Sequence, residues 1–295
     1  MIPAGNILAW GRSVPWGDER QIEQDLIISR ALVDIFNDRF LRAEVRFRGG
    51  TALNKLHFPA PLRYSEDIDL TKTREGAIGP VVNRIQDLLR PWLGNAAFKK
   101  SAVTPKLFFE TKAETSGARI RLKVEINARE CIAYDGDRHI PLTVQNSWFS
   151  GTAQIATFSN EELLATKLRA LLQRDKGRDL IDLTHAVRMF GDLNLPRVVE
   201  LFGTYLAAAE QHPISRAEAE SRMFEKYGRR KFLADVPPLL AASESEKFDE
   251  TSAKQAFEVV FREFIERLPG QPWALSGEMI AKFGLSVAGA TDGIR

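Results

Sequence analysis

The sequence predicts an α+β fold, with an N-terminal half (1–150) built on a mixed sheet and a helical C-terminal half (151–295). Three observations predict it. Ile120, Leu122, Val124 and Ile126 alternate with Arg121, Lys123, Glu125 and Asn127, the period-two pattern of a half-buried strand. Ile22, Leu26, Ile27, Ala31, Leu32, Ile35 and Phe36 recur at helical spacing. From Ser159 to about residue 268 the patterning is helical, which segregates helices from strands along the chain.

Taken in order, residues 20–37 form a helix that ends at Asn37-Asp38. Val45 and Phe47 alternate with charged neighbours and mark a strand entering Gly49-Gly50. Ala52 to Leu56 fits a short helix, and Tyr64 to Leu70 a strand. Residues 78–93 form a helix carrying Val81, Val82, Ile85, Leu88 and Leu89, with Pro80 tolerated in its first turn. Leu107 to Glu110 reads as a strand, and Ile120 to Asn127 as the strongest one. Asp135-Gly136, between Ile132 and Ile140, is expected to close a hairpin. Ser159 with Glu162 makes a capping box for a helix to about Arg174; a second helix runs from Arg178 to about Phe190. Helical segments follow at 196–210, 215–227 and 252–268, and Ser276 to Arg295 carries a weaker pattern.

Bulk properties narrow the class. Hydrophobic residues make up 44% of 295 and charged residues 27%, which is ordinary for a chain with a sizeable core. No apolar run approaches the ~20 residues needed to span a bilayer, and Met1 to Gly17 lacks the pattern of a signal peptide. A single cysteine, Cys131, excludes an internal disulfide framework and fits a reducing compartment, so a cytoplasmic location is expected. Four histidines and that cysteine form no zinc pattern. Net charge is only +2, but basic residues cluster at Arg42, Arg46 and Arg48, at Arg169, Arg174, Lys176 and Arg178, and at Arg216, Arg222, Lys226, Arg229, Arg230 and Lys231. Such clusters bind polyphosphate or nucleic acid, or are solvated helix faces with i,i+4 pairs.

The chemistry-bearing stretch is Gly49-Gly50-Thr51-Ala52-Leu53 followed by Arg63-Tyr64-Ser65-Glu66-Asp67-Ile68-Asp69-Leu70. A glycine turn beside a short helix presents backbone N–H groups to a phosphate. On an extended segment Asp67 and Asp69 point to one face and Ile68 and Leu70 to the other. Paired carboxylates repel unless a cation sits between them, and Mg²⁺ takes one or two carboxylates plus substrate phosphates. Asp67 and Asp69 are therefore the expected metal ligands, against the plainer reading of a polar strand edge. Gly49, Gly50 and Thr51 are expected to hold a triphosphate, against an ordinary strand-to-helix turn. Ser65 binds phosphate or orients the loop; Arg63 contacts phosphate or pairs with Glu66. Glu125 lies on the polar face of its strand, where the plain reading is a cross-strand partner for Lys or Arg.

In the later helices, Lys167 falls inside the arc of Leu163, Leu164, Leu168, Leu171 and Leu172, so it either snorkels out or meets an anion in a cleft. Asp179 borders the apolar face of Leu180, Leu183, Val187 and Phe190 in the first helical turn, which reads as a support that holds Lys167 or an arginine. Asp182 is expected to face away from it, together with Arg178.

These motifs, in this order, resemble the DNA polymerase β-like nucleotidyltransferases, in detail the AbiEii/AbiGii toxin branch. That branch reads Gly-Gly-Thr/Ser-Ala-Leu, then Arg-x-Ser-x-Asp-x-Asp-Leu, then a helical Lys and Arg-Asp-x-x-Asp-Leu; here they are matched by Lys167 and Arg178-Asp179-Leu180-Ile181-Asp182-Leu183. The likeness spans roughly residues 25 to 190. It implies a polymerase β-like core followed by a helical domain, and an enzyme that moves an NMP from an NTP to a hydroxyl with Mg²⁺ (or Mn²⁺) and releases pyrophosphate. It implies Glu125 as the third acid, Lys167 and Asp182 at the nucleotide, Arg178 and Asp179 behind them, and Ser65 as a phosphate contact or modification site. It also implies a toxin–antitoxin or phage-defence toxin with tRNA as acceptor, the basic C-terminal helices suiting an RNA stem, and a cognate antitoxin as partner. The rival readings are transfer to a small molecule or protein, and a nucleotide-binding module without turnover.

Overall fold

A computed structural model describes residues 2–101, 103–229 and 231–287. Met1, Arg230 of the basic run and the end of the Ser276–Arg295 segment lie outside the described residues. The chain divides into two compact units, Met1–Ser159 and Asn160–Arg295.

The first unit is a seven-stranded mixed sheet. Its strands are β1 (Val45–Arg48), β2 (Asp67–Lys72), β3 (Ala97–Lys99), β4 (Lys106–Lys112), β5 (Arg119–Asn127), β6 (Arg138–Gln145) and β7 (Ser150–Thr157). The order is β3-β4-β5-β2-β1-β7-β6. β2 runs parallel to β5 and β1 parallel to β7, while the other neighbours are antiparallel. The helix Glu19–Asn37 starts on an Asp18 cap that accepts from the Gln21 N–H. It buries Leu26, Ile28 and Leu32 with Phe47, Ile68, Val124 and Ile155 in the core, each burial contributing about 1.5–3 kcal/mol. The helix Gly79–Leu93 has Pro80 in its first turn, as expected.

The expected elements are found with shifted bounds. The strand expected at Tyr64–Leu70 begins at Asp67 and runs on to Lys72, leaving Ser65 in the connecting segment. The expected Asp135-Gly136 hairpin is corrected. Gly136 has φ +74 and its N–H donates to the Ala133 carbonyl, but this turn sits inside a loop between β5 and β6, which do not pair. β6 pairs with β7 instead, through a turn in which Asn146 and Phe149 exchange backbone hydrogen bonds and the Trp148 N–H donates to Asn146 Oδ1. That turn lacks glycine, and Pro141 sits in β6, so local turn chemistry does not announce the hairpin.

The second unit is helical, with helices Asn160–Gln173, Gly177–Met189, Leu195–Ala208, Arg216–Tyr227, Glu250–Glu263 and Ser276–Phe283 among its elements. Phe224 packs against Phe257 and Phe261 at ring separations of 5.7 and 5.2 Å. Among the described residues, no helix is long and apolar enough to cross a membrane.

Candidate active site

Register assembles the site in the first unit. Arg48 stands opposite Asp69, Asp69 opposite Glu125, and Glu125 opposite Lys106, so these four residues cross the sheet β1-β2-β5-β4 on one face. Two residues along, on the same face, Asp67 stands opposite Lys123. Ile68 and Leu70 are buried on the other face, as the alternation requires. The expected carboxylates Asp67, Asp69 and Glu125 are therefore neighbours.

The glycine turn is fitted to this row. Gly49 has φ +81, and a Cβ there would lie 2.5 Å from Asp69 Oδ2. Thr51, only 1% exposed, bonds through its hydroxyl to Ser65 Oγ at 2.5 Å and to the Asp67 carbonyl at 2.6 Å. It ties the turn to the start of β2. Arg63 is 3% exposed; its N–H donates to Asn54 Oδ1 and its guanidinium to the Tyr64 carbonyl. Thr51, Ser65 and Arg63 thus brace the loop between the glycines and the carboxylates.

Two lysines and an arginine stand among the acids. Lys123 Nζ lies 2.8 Å from Asp67 Oδ2 and 3.2 Å from Glu125 Oε2, and Lys106 Nζ 2.9 Å from the same Glu125 oxygen. Arg48 pairs with Glu130 at 2.7 Å, and Glu130 also accepts from Asn127. Burial raises the Asp69 carboxyl above its usual range, and Asp67 and Glu125 add to this against Lys123 and Arg48. Burial opposes ionisation of Glu125 too, but Lys106 and Lys123 outweigh it and hold that carboxyl below its usual range. For Lys123 burial disfavours the charge, yet Asp67, Asp69 and Glu125 outweigh it and keep the ammonium firmly protonated. Among the described residues, no three acid, imidazole or thiol side chains stand converged on one ion position as they are. Asp67, Asp69 and Glu125 nevertheless form a hard-oxygen set on adjacent strands, and that chemistry fits Mg²⁺ or Mn²⁺.

In the second unit Lys167 does not snorkel out; its ammonium is held by two buried carboxylates of the next helix. Its Nζ lies 3.1 Å from Asp179 Oδ1 and 3.0 Å from Asp182 Oδ2. Arg174 adds two hydrogen bonds to Asp179. Burial alone would raise the Asp179 carboxyl, but Lys167 and Arg174 outweigh it and bring it down to about 2. The expectation that Asp182 faces away from Asp179 is corrected: both carboxylates are fully buried and share one ammonium. The reason is that Gly177–Met189 is covered on more than one side; Thr184, beyond the leucine stripe, donates to the Ala256 carbonyl of another helix.

The basic clusters of this unit are largely ion-paired within it. Arg216 pairs with Glu220, Arg222 with Glu218, and Lys226 and Arg229 with Asp175. Arg222 with Glu218 is an i,i+4 pair on a helix face, whereas Lys226 and Glu220 are buried and serve packing within the unit.

The sequence matches the family described as nucleotidyl transferase AbiEii toxin, type IV toxin–antitoxin system, over residues 30–258. The chain belongs to the AbiEii family. As an AbiEii protein it is a nucleotidyltransferase, and its family is that of the toxins of type IV toxin–antitoxin systems. The solved structure of MenT4, nucleotidyltransferase toxin Rv2826c from Mycobacterium tuberculosis H37Rv, shares the fold with a TM-score of 0.52 at 16% identity, covering 87% of this chain and 97% of its own. JHP933 from Helicobacter pylori aligns with a TM-score of 0.47 at 16% identity, over 82% of this chain and 93% of its own. No curated protein matches the sequence.

Sequence reasoning did not assign Lys106, Lys123 or Glu130 to this AbiEii site. A signal existed for Lys123, which shares the polar face of its strand with Glu125. Nothing local pointed to Lys106 or Glu130, because strand register and a loop bring them in.

Proposed function

We propose that this AbiEii enzyme transfers an NMP from an NTP, in a divalent-cation-dependent reaction, to the 3′ hydroxyl of tRNA. The observation that carries the metal-dependent part is the register that aligns Asp67, Asp69 and Glu125 beside a glycine with no room for a side chain. These three acids would hold the cation. When bound, Mg²⁺ or Mn²⁺ supplies charge neutralisation for the triphosphate and eases deprotonation of the attacking hydroxyl.

The chain's own groups have distinct tasks in this reading. The backbone N–H groups of Gly49 and Gly50 face the triphosphate, with Arg48 beside them as the nearest guanidinium in sequence. Thr51, Ser65 and Arg63 hold the loop that presents these groups. Asp67 and Asp69 suit the ligand role, and Glu125, which Lys106 and Lys123 keep ionised, would complete the cation site or accept the proton of the attacking hydroxyl. Within the second unit, Lys167 with Asp182 and Asp179 is the candidate phosphate contact carried over from the family, Arg178 being the neighbour of Asp179 in sequence; Lys167 reaches a phosphate only by loosening its two carboxylates. A cognate antitoxin, a cytoplasmic setting and a role in phage defence complete the reading, and these rest on the family alone.

The test is incubation of the pure protein with total RNA, Mg²⁺ and each α-labelled NTP in turn, alongside Asp69→Asn. Label should enter the tRNA band with the native chain and not with the variant. Label entering a protein or a small molecule instead would replace the tRNA acceptor; label surviving Asp69→Asn would overturn the carboxylate assignment.

A further inference from the structure

The acidic row carries a cation of its own. Lys123 is the residue opposite Asp67 on the parallel neighbour, and it shares a strand face with Glu125 two positions on. Its ammonium therefore bridges both acids, at 2.8 Å to Asp67 Oδ2 and 3.2 Å to Glu125 Oε2. Lys106 touches only Glu125 among these acids. Like charges opposite one another on adjacent strands repel, and an ammonium at contact distance from two of them relieves this. The same oxygens are the ones a divalent ion would take.

We propose that Lys123 is a tethered counter-ion that competes with the divalent cation for Asp67 and Glu125, and so sets the metal affinity of the site. This rests on the reading of Asp67, Asp69 and Glu125 as cation ligands. A divalent ion reaching those oxygens must displace both lysine contacts. The lysine is suited to leave: it is a point charge on a flexible stem, and its side chain is 25% exposed. Once displaced, the ammonium stands beside the carboxylate row, where a triphosphate gives it a new anion. The metal alone then binds weakly and the metal with NTP binds well, which keeps the acids neutralised until substrate arrives. Lys123 is thus a positioning residue acting through the ligands.

The experiment is Mn²⁺ titration of the full chain, following free Mn²⁺ by electron paramagnetic resonance, for the native protein, Lys123→Met, Lys123→Gln, Lys123→Arg and Asp69→Asn. Removing the positive charge in Lys123→Met and Lys123→Gln should tighten Mn²⁺ binding on the order of tenfold, while Lys123→Arg should bind as the native chain does. Thermal unfolding without metal should show the neutral variants less stable than native, with Mn²⁺ restoring more of the loss than it adds to native protein. Lys123→Gln keeps a hydrogen-bonding group, so it serves if the methionine variant does not fold. If the neutral variants bind Mn²⁺ no tighter than native, or if Lys123→Arg tightens as much as they do, the competition is refuted. In that case, loss of binding in Asp69→Asn would leave the ligand assignment standing. If no variant shows Mn²⁺ binding that depends on Asp69, the ligand assignment fails and this proposal with it.

Discussion

Gly49→Ala tests the fit between the glycine turn and the carboxylate row. The substitution adds one methyl group and meets two obstacles. The backbone at Gly49 has φ +81, a left-handed conformation that costs an L-residue about 1–2 kcal/mol. The new Cβ would also lie 2.5 Å from Asp69 Oδ2 and 3.2 Å from Asp69 Cγ, so the acid has to move; such overpacking costs about 1–3 kcal/mol. A loss of about 3 kcal/mol is expected, near the middle of the combined range. For a unit the size of Met1–Ser159, each kcal/mol corresponds to about 2–4 °C, so Tm should fall by roughly 6–12 °C. Displacing Asp69 by about 1 Å should also cut nucleotidyl transfer on the order of 100-fold. The assay is a double-mutant cycle in denaturant unfolding, with Gly49→Ala, Asp69→Ala and the pair. Trimming Asp69 removes the clash but not the backbone strain. The pair should therefore be more stable than the sum of the single effects by about 1–2 kcal/mol. Additive effects, agreeing within about 0.5 kcal/mol, would show that the two residues do not press on one another and would refute the argument.

Three further predictions follow from the same geometry. Because burial and Asp67 raise the Asp69 carboxyl, the folded state keeps its proton where the unfolded chain has lost it, so stability declines as pH rises from the unfolded value through the folded one. Asp69→Asn should remove that decline, leave the protein more stable than native at pH 7.5 and abolish transfer, as read by thermal unfolding and a labelling assay. Asp179 carries the opposite sign: against the effect of burial, Lys167 and Arg174 bring it down to about 2, so its stabilisation is present above about pH 4 and is lost as pH falls toward 2. Asp179→Asn should flatten that acid limb, a loss on the order of 2 kcal/mol in the native chain. Lys167→Met removes the ammonium shared by two buried carboxylates and should cost about 3–5 kcal/mol in urea unfolding. An unchanged midpoint would show that the two buried carboxylates do not depend on Lys167 for their neutralisation; weakened NTP binding by the folded variant would support its role as a phosphate contact.

Much of the architecture follows from local patterning. Alternation alone separates Asp67 and Asp69 from Ile68 and Leu70, and Glu125 from Val124 and Ile126. Helical spacing delimits Glu19–Asn37 and Gly79–Leu93 to within a residue or two. The order of motifs is enough to indicate the family, because each needs its own residue types at its own spacing. These features are legible because hydrophobic period and turn chemistry are properties of neighbouring residues.

Register and burial are not. The pairing of Asp69 with Glu125, and of Asp67 with Lys123, exists only once β2 lies parallel to β5 in one particular alignment. A one-residue slip would turn each strand's acids to the opposite face. Thr51 reads as a phosphate donor until folding turns its hydroxyl inward to Ser65 and Asp67. Asp182 reads as facing away until a second layer of helices covers it and Lys167 neutralises it. The chain by itself determined which side chains share a strand or helix face, because that depends on backbone periodicity. Helical spacing fixes pairs such as Arg222 with Glu218, but tertiary structure alone decided which charges meet across strands and between helices, because those pairs join residues whose separation in the sequence carries no information about their distance in space.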